Sequence, residues 1–308
     1  MLLQVTHETR YDYQPAVETA QHVLCLRPIQ TACQQVLEHQ LDIHPRPASR
    51  TERQDVFGNH QCQFSMQSPH ESLRVVAHSA IQTQAPAPVQ SKQPWEMVRE
   101  NLRYQHGMVY DPAVEFTFPS AYIPRHAEFV HYAQPSFRAG RPLLDAAREL
   151  MQRIYQDFTY AAQSTEINTP ARTALAQRKG VCQDFAQILI ACLRSLGLPG
   201  RYVSGYLLTT PPPGKPRLIG SDASHAWAQV YLPDVQAQHP GQGWYDLDPT
   251  NHRDGWGTPG EDYVTVARGR DYSDVAPMRG VIHGGTRHTL HVGVTVAPVE
   301  EELAELDG

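Results

Sequence analysis

Three residues of this chain could carry out covalent chemistry together: a cysteine at the mouth of an apolar helix, a histidine in a strand, and an aspartate just before a proline. Cys182 follows Gly180 and Val181 and opens a run carrying Phe185, Ile188, Leu189, Ile190, Cys192, Leu193 and Leu196, closed by Gly197 and Pro199. A run apolar on nearly every side predicts a central, buried helix with the cysteine in its first turn. Unpaired amides and the helix dipole at that end favour a thiolate over a thiol, and the same amides can receive the negative oxygen of a tetrahedral intermediate. Gly180 would leave room for a substrate backbone. Taken alone, Cys182 reads more readily as a small core residue, as Cys192 does.

A thiol nucleophile needs a base within hydrogen-bond reach, and the base needs an acceptor on its other ring nitrogen. His225 and Asp248 can supply both. If the strand from His225 to Leu232 pairs antiparallel with that from Trp244 to Asp248, a register setting Gln229 against Trp244 also sets His225 opposite Asp248. Asp246 shares the parity of Asp248, and a bulge or a two-residue slip would favour it instead. Asp222 and Asp184 are weaker candidates, the latter reading as a helix-stabilising acid in the first turn. For an oxyanion donor beside the amide of Cys182, the sequence offers Gln177, Gln183 and Tyr160. Trp227 and Trp244 are candidates to wall the cleft, although aromatic residues on hairpins more often serve the core.

The elements that would position these groups divide the chain. Residues 1–94 alternate apolar and polar positions with turn formers between the runs, as in Leu3, Val5, Tyr11 and Tyr13 or Cys62, Phe64 and Met66, which predicts an antiparallel β-sandwich-like domain ending in a proline-containing linker at 85–94. Residues 95–141, interrupted by Pro112, Pro119, Pro124 and Pro135, predict a helical or irregular connection. From Pro142 the period becomes helical, with Leu143, Ala147, Leu150 and Ile154 on one face, and strands follow the central helix. Residues 142–295 thus read as an α+β catalytic core, a buried helix packed on an antiparallel sheet, and 296–308 as an acidic, solvated tail.

Composition narrows the function. The chain has 308 residues, 19% charged, with a formal charge of -6, which argues against a nucleic acid partner. No apolar run reaches the roughly 18–20 residues of a membrane span, and the start lacks a basic n-region and long h-region, so a soluble, cytoplasmic protein is expected. Five cysteines without a CxxC pair fit reduced thiols better than a disulfide framework. His288 with His291, and His60 with Cys62, lack further ligands at metal-site spacing, so no metal is expected.

At the candidate residues the sequence resembles the bacterial transglutaminase-like proteins, whose core is related to papain and to animal transglutaminases. The stretches that carry the resemblance are GVCQDFA (180–186), RSLGLPGRYVSGYL (194–207), ASHAWAQVYLP (223–233) and GWYDLDPTN (243–251). VTHETRYDYQPAV (5–17), RPIQ (27–30) and DVFGN (55–59) resemble the β-rich region that accompanies such cores, and GRDYSDVAPMRG (269–280) is similar to the segment after them. Gln187 departs from the pattern, where many relatives have histidine. The resemblance implies a papain-like fold and a triad mapping onto Cys182, His225 and Asp248. It implies attack on an amide or peptide carbonyl, with no cofactor. Hydrolysis as a cysteine peptidase or amidase is the first expectation, amine transfer as a transglutaminase the second, and a non-catalytic binding module the third. The partner would be a peptide, protein or other amide substrate, and homo-oligomerisation stays open.

Overall fold

The first 83 residues form five strands, β1 (Leu2–Leu24), β2 (Gln34–His44), β3 (Ser49–Gln54), β4 (His60–Met66) and β5 (His70–Thr83), of which β3 is exposed throughout and so shows no alternation. The computed structural model describes residues 1–103, 106–107, 109–161, 169–209 and 224–299. The 23-residue β1 changes direction in its middle: its first half pairs with β5 and its second with β4. Two leaves result, β2-β5-β1 and β1-β4-β3, sharing one long strand. Tyr13, Leu41, Leu73 and Val75 of one leaf meet Ala20, Leu24, Phe64 and Met66 of the other in a single apolar cluster. Each leucine, valine, phenylalanine or methionine among them contributes about 1.5–3 kcal/mol on burial, and the alternation is what aims them at one another.

The rest of the chain supplies α1 (Trp95–Asn101), α2 (Ala127–Ala133), α3 (Leu143–Asp157), β6 (Thr159–Tyr160), α4 (Ala171–Gln177), β7 (Lys179–Gly180) and α5 (Cys182–Ser195). Then come β8 (Gly200–Leu207), β9 (Ser224–Tyr231), α6 (Pro233–Gln238), β10 (Trp244–Asp248), β11 (Arg253–Trp256), β12 (Tyr263–Gly269) and α7 (Tyr272–Val275). The antiparallel sheet β11-β10-β9-β8-β12 carries α5 on one face. From Phe185 through Arg194 every residue of α5 is buried, which the all-round apolar sequence of the helix requires. Val98, Ile123, Phe129, Tyr132 and Phe137 belong to the same cluster, so residues 95–141, expected as a connection, form part of the wall around α5.

Two further strands correct the expected boundaries. β13 (Met278–Gly284) and β14 (Arg287–Pro298) run antiparallel along β1, not along the second sheet, and Val294 and Val296 are buried in one cluster with Leu3 and Val5. Residues 278–298 therefore complete the N-terminal sheet instead of ending the core, because β1 would otherwise leave a full ladder of amides and carbonyls unpaired on one side. The acidic stretch 300–308 lies outside the described residues. The DVFGN stretch also gains a physical reason: Asn59 donates from Nδ2 to the Arg268 carbonyl at 2.6 Å and accepts from the Arg268 amide at 2.8 Å, tying the β3–β4 turn to β12.

Candidate active site

Cys182 is the first residue of α5, half-buried, and its position is fixed from both sides. Upstream, β7 pairs in parallel with β6, which sets Tyr160 opposite Gly180. Downstream, the Asp184 carboxylate folds back and accepts from the Val181 amide at 2.8 Å, satisfying one of the donors that a helix start leaves unpaired. Gly180 makes room for this cap, since a Cβ there would lie 2.7 Å from both Cβ and Oδ2 of Asp184. Gly180→Ala is expected to destabilise the fold by about 1–3 kcal/mol through displacement of Asp184. Chemical denaturation measures this, and a change within a few tenths of a kcal/mol would remove the argument.

His225, near the start of β9, is buried, and its Nε2 lies 2.7 Å from Oδ2 of the fully buried Asp248. The Cys182 thiol is one of the groups that raise the pKa of this ring, Nδ1 is the ring nitrogen not taken by the carboxylate, and Asn251 Nδ2 also lies 3.3 Å from Nε2. The hairpin achieves this in a register other than the one expected. Asp246 faces Gln229 and Trp244 faces Tyr231, a slip of two residues, so His225 and Asp248 meet diagonally. The slip does not hand the role to Asp246. Oδ1 of that residue accepts from the Trp227 indole and the Gln229 amide, both at 2.7 Å, and holds the strand below the histidine.

Asp248 is surrounded by donors. Oδ2 accepts from Tyr263 Oη at 2.7 Å and Asn251 Nδ2 at 2.8 Å besides the imidazole, and Oδ1 accepts from the Thr250 amide at 2.8 Å in the turn that Pro249 begins. Burial works against a charged carboxylate, but His225, Tyr263 and Asn251 outweigh it and hold its pKa below the ordinary value. The imidazole shows the reciprocal effect. Burial would strip its proton, yet the Asp248 charge and hydrogen bond, with the Cys182 thiol, push it up to about 10.

The remaining sequence candidates separate. Tyr160 is an exposed neighbour of Cys182; burial and then the nearby sulfur raise its phenol pKa, and its ring meets the edge of Phe185. Gln183 follows the cysteine on α5. Gln177 ends α4 on a groove lined by Glu128, Tyr132 and Arg172 and makes no hydrogen bond among the described residues. Trp227 is fully buried, its ring stacked on that of His225 with centroids 6.0 Å apart, so it backs the histidine instead of walling a cleft. Trp244 packs against Phe116 and Tyr231 under the guanidinium of Arg201. Asp222 lies outside the described residues. Two contributors, Asn251 and Tyr263, were not assigned from the sequence. Asn251 sat in the GWYDLDPTN stretch within a turn of Asp248, whereas nothing in local sequence pointed from Tyr263 to the site. Among the described residues, no group of three or more His, Cys, Asp or Glu side chains converges as a metal site.

Comparison with known proteins bears on this arrangement. The family model described as the bacterial transglutaminase-like N-terminal region matches residues 3–82, and that of the transglutaminase-like superfamily matches residues 130–249. An uncharacterised protein of Mycobacterium tuberculosis is 41% identical over 304 residues, covering 96% of this chain and 92% of the relative. The chain belongs to the transglutaminase-like superfamily. A protein-glutamine gamma-glutamyltransferase of Pseudomonas aeruginosa is similar to this transglutaminase-like chain over 109 residues at 34% identity, covering 33% of this chain and 15% of that protein. The solved structure of a candidate cysteine protease from Cytophaga hutchinsonii has the same fold, with a TM-score of 0.71, 20% identity, and coverage of 97% of this chain and 91% of that one. Cys182, His225 and Asp248 all fall within the matched transglutaminase-like core, while Asn251 and Tyr263 lie just beyond it.

Proposed function

We infer that this protein is a thiol acyl-transfer enzyme in which Cys182 is the nucleophile, His225 the acid and base, and Asp248 the group that orients and charges the histidine. The observation that supports this reading is the buried 2.7 Å contact between His225 and Asp248, with the Cys182 thiol acting on the same imidazole. An imidazole with its pKa near 10 keeps its proton at neutral pH, so in the working pair sulfur attacks as thiolate. The sulfur bonds to the carbonyl carbon of an amide, and the oxygen takes the negative charge beside the Cys182 amide, which has no intrahelical acceptor. As the C–N bond breaks, the imidazolium gives its proton to the leaving nitrogen, and a thioester remains. The neutral imidazole then takes a proton from the incoming nucleophile as that nucleophile attacks the thioester, and thiolate is released.

Water as that nucleophile makes the enzyme a cysteine peptidase or amidase, which we take as its activity. Amine transfer is the second reading, favoured by the similarity to the Pseudomonas aeruginosa glutamyltransferase. The two part in one experiment. Purified protein is incubated with a glutamine-containing peptide, with and without a primary amine. We expect released ammonia with free acid as the main product. Amine incorporated at the expense of acid would reverse the order, and no turnover of any member of a peptide and amide library would remove the enzymatic reading.

A further inference from the structure

The N-terminal sheet ends in four edges of very different character. β3 is six residues long and wholly exposed, with Arg50 and Glu52 paired along it. β2 is broken by an irregularity between Val36 and Glu38 and carries Glu38 and Asp42. β13 is seven residues long with glycine at 280 and 284. Short length, charge and bulges are how sheets prevent another strand from adding to them. β14 is long and free of bulges, and its one fixed charge is Arg287 at its start. Its twelve residues pair with β1 in unbroken register, it contains no Asp, Glu or Lys, and no other described strand lies along its outer side. Leu290 and Val292 are 47% and 54% exposed.

The direction of its backbone groups can be read from the pairing. The Val299 amide donates to the Leu2 carbonyl at 2.9 Å in the same register, so odd-numbered residues turn their amides toward β1. The amides and carbonyls of His288, Leu290, Val292 and Val294 therefore face outward.

We propose that this outer edge pairs antiparallel with the same strand of a second copy of the chain, about a two-fold axis at Leu290. The choice of partner rests on self-complementarity. With Leu290 opposite the partner's Leu290, His288 faces the partner's Val292, Thr289 faces the partner's His291, and Arg287 faces the partner's Gly293. Apolar residues meet on one face, and no charge opposes a like charge. Arg287 has no hydrogen bond or ion pair among the described residues. Gly293, lacking a side chain, lets that guanidinium pass over the partner's β14 toward Glu8, which stands beside Gly293 on β1 and already accepts from Arg74 at 2.7 and 3.0 Å, so the carboxylate would be shared. Three outward-facing pairs on this register give about six backbone hydrogen bonds, and the N-terminal sheet becomes continuous through the dimer.

Light scattering on the full chain tests this. At micromolar concentration the expected mass is about twice 34.6 kDa. Leu290→Pro should give a folded monomer, since the amide it removes points away from β1, and Val292→Lys should act the same way without constraining the backbone. Mixing Thr289→Cys with His291→Cys protein should yield a disulfide between those two positions that neither variant forms alone. A wild-type monomer at every concentration overturns the proposal, even one that binds an extended peptide at this edge. So does a dimer that both Leu290→Pro and Val292→Lys leave intact.

Discussion

Replacing Cys182 by alanine is expected to lower turnover on the order of 10^5-fold or more, the loss that follows removal of a nucleophile, while leaving the fold in place. The residue is half-buried at a helix start and the change to alanine removes one atom at the edge of the core, so the thermal midpoint should stay within a few degrees of wild type. Reactivity should be as selective as activity. Cys25 and Cys192 are buried, and burial raises both thiols, that of Cys25 to about 12. Cys62 is buried and raised, and Cys33 is raised by burial and then by Asp246. Iodoacetamide at neutral pH should therefore modify Cys182 first, and one equivalent should abolish turnover. Peptide mapping after brief labelling reads the site directly. Equal labelling of all five cysteines in folded protein would mean that the contacts around sulfur 182 confer no special reactivity, and the scaffold reading would then stand.

The parts of this molecule that were legible in its sequence are those governed by local periodicity. The all-round apolar helix from Cys182 and the alternating strands of the first 83 residues follow from side-chain spacing alone, because burial on one face or on all faces leaves its mark within a few residues. What was not legible depends on partners distant in the chain. β13 and β14 carry ordinary strand patterns, and only the length of β1 decides that they lie beside it. The hairpin register was misjudged by two residues because turn chemistry in 232–243 did not reveal α6, which takes up part of that connection. Parity survived the slip, so His225 and Asp248 still share a face, which is why the pair could be named despite the wrong register. Tyr263 reaches Asp248 from β12, two strands beyond β9 in the sheet, and no spacing rule links them. The neighbour of Gly180 is likewise hidden, a side chain folding back from the next turn, which the sequence does not display.

Asp248→Asn should separate the two buried aspartates of β10, since the two occupy opposite roles around one histidine. In the wild type, burial pulls the imidazole pKa down and the Asp248 charge overcomes it, so the imidazolium persists until pH rises through about 10. Without the charge only the Cys182 thiol still opposes burial, and the pKa should fall, taking the alkaline limb of the pH–rate profile with it. At neutral pH the rate should drop about ten-thousand-fold, as when the orienting acid of a comparable triad is made an amide. Stability should follow the same sign. A histidine whose folded pKa is raised contributes fully below its unfolded value and loses that contribution as pH rises through about 10, whereas Asp248, held low, contributes above the ordinary carboxylate range and loses it on acidification. The difference in thermal midpoint between wild type and Asp248→Asn should therefore be greatest in mildly acidic to neutral solution and narrow above pH 10. Asp246→Asn, by contrast, keeps the charge on Asp248 and disturbs the Trp227 and Gln229 contacts, so it should lower stability and leave the alkaline limb where it is. If Asp246→Asn moves that limb and Asp248→Asn does not, the orienting role belongs to Asp246, and the diagonal contact seen across the hairpin is not the one that charges the histidine.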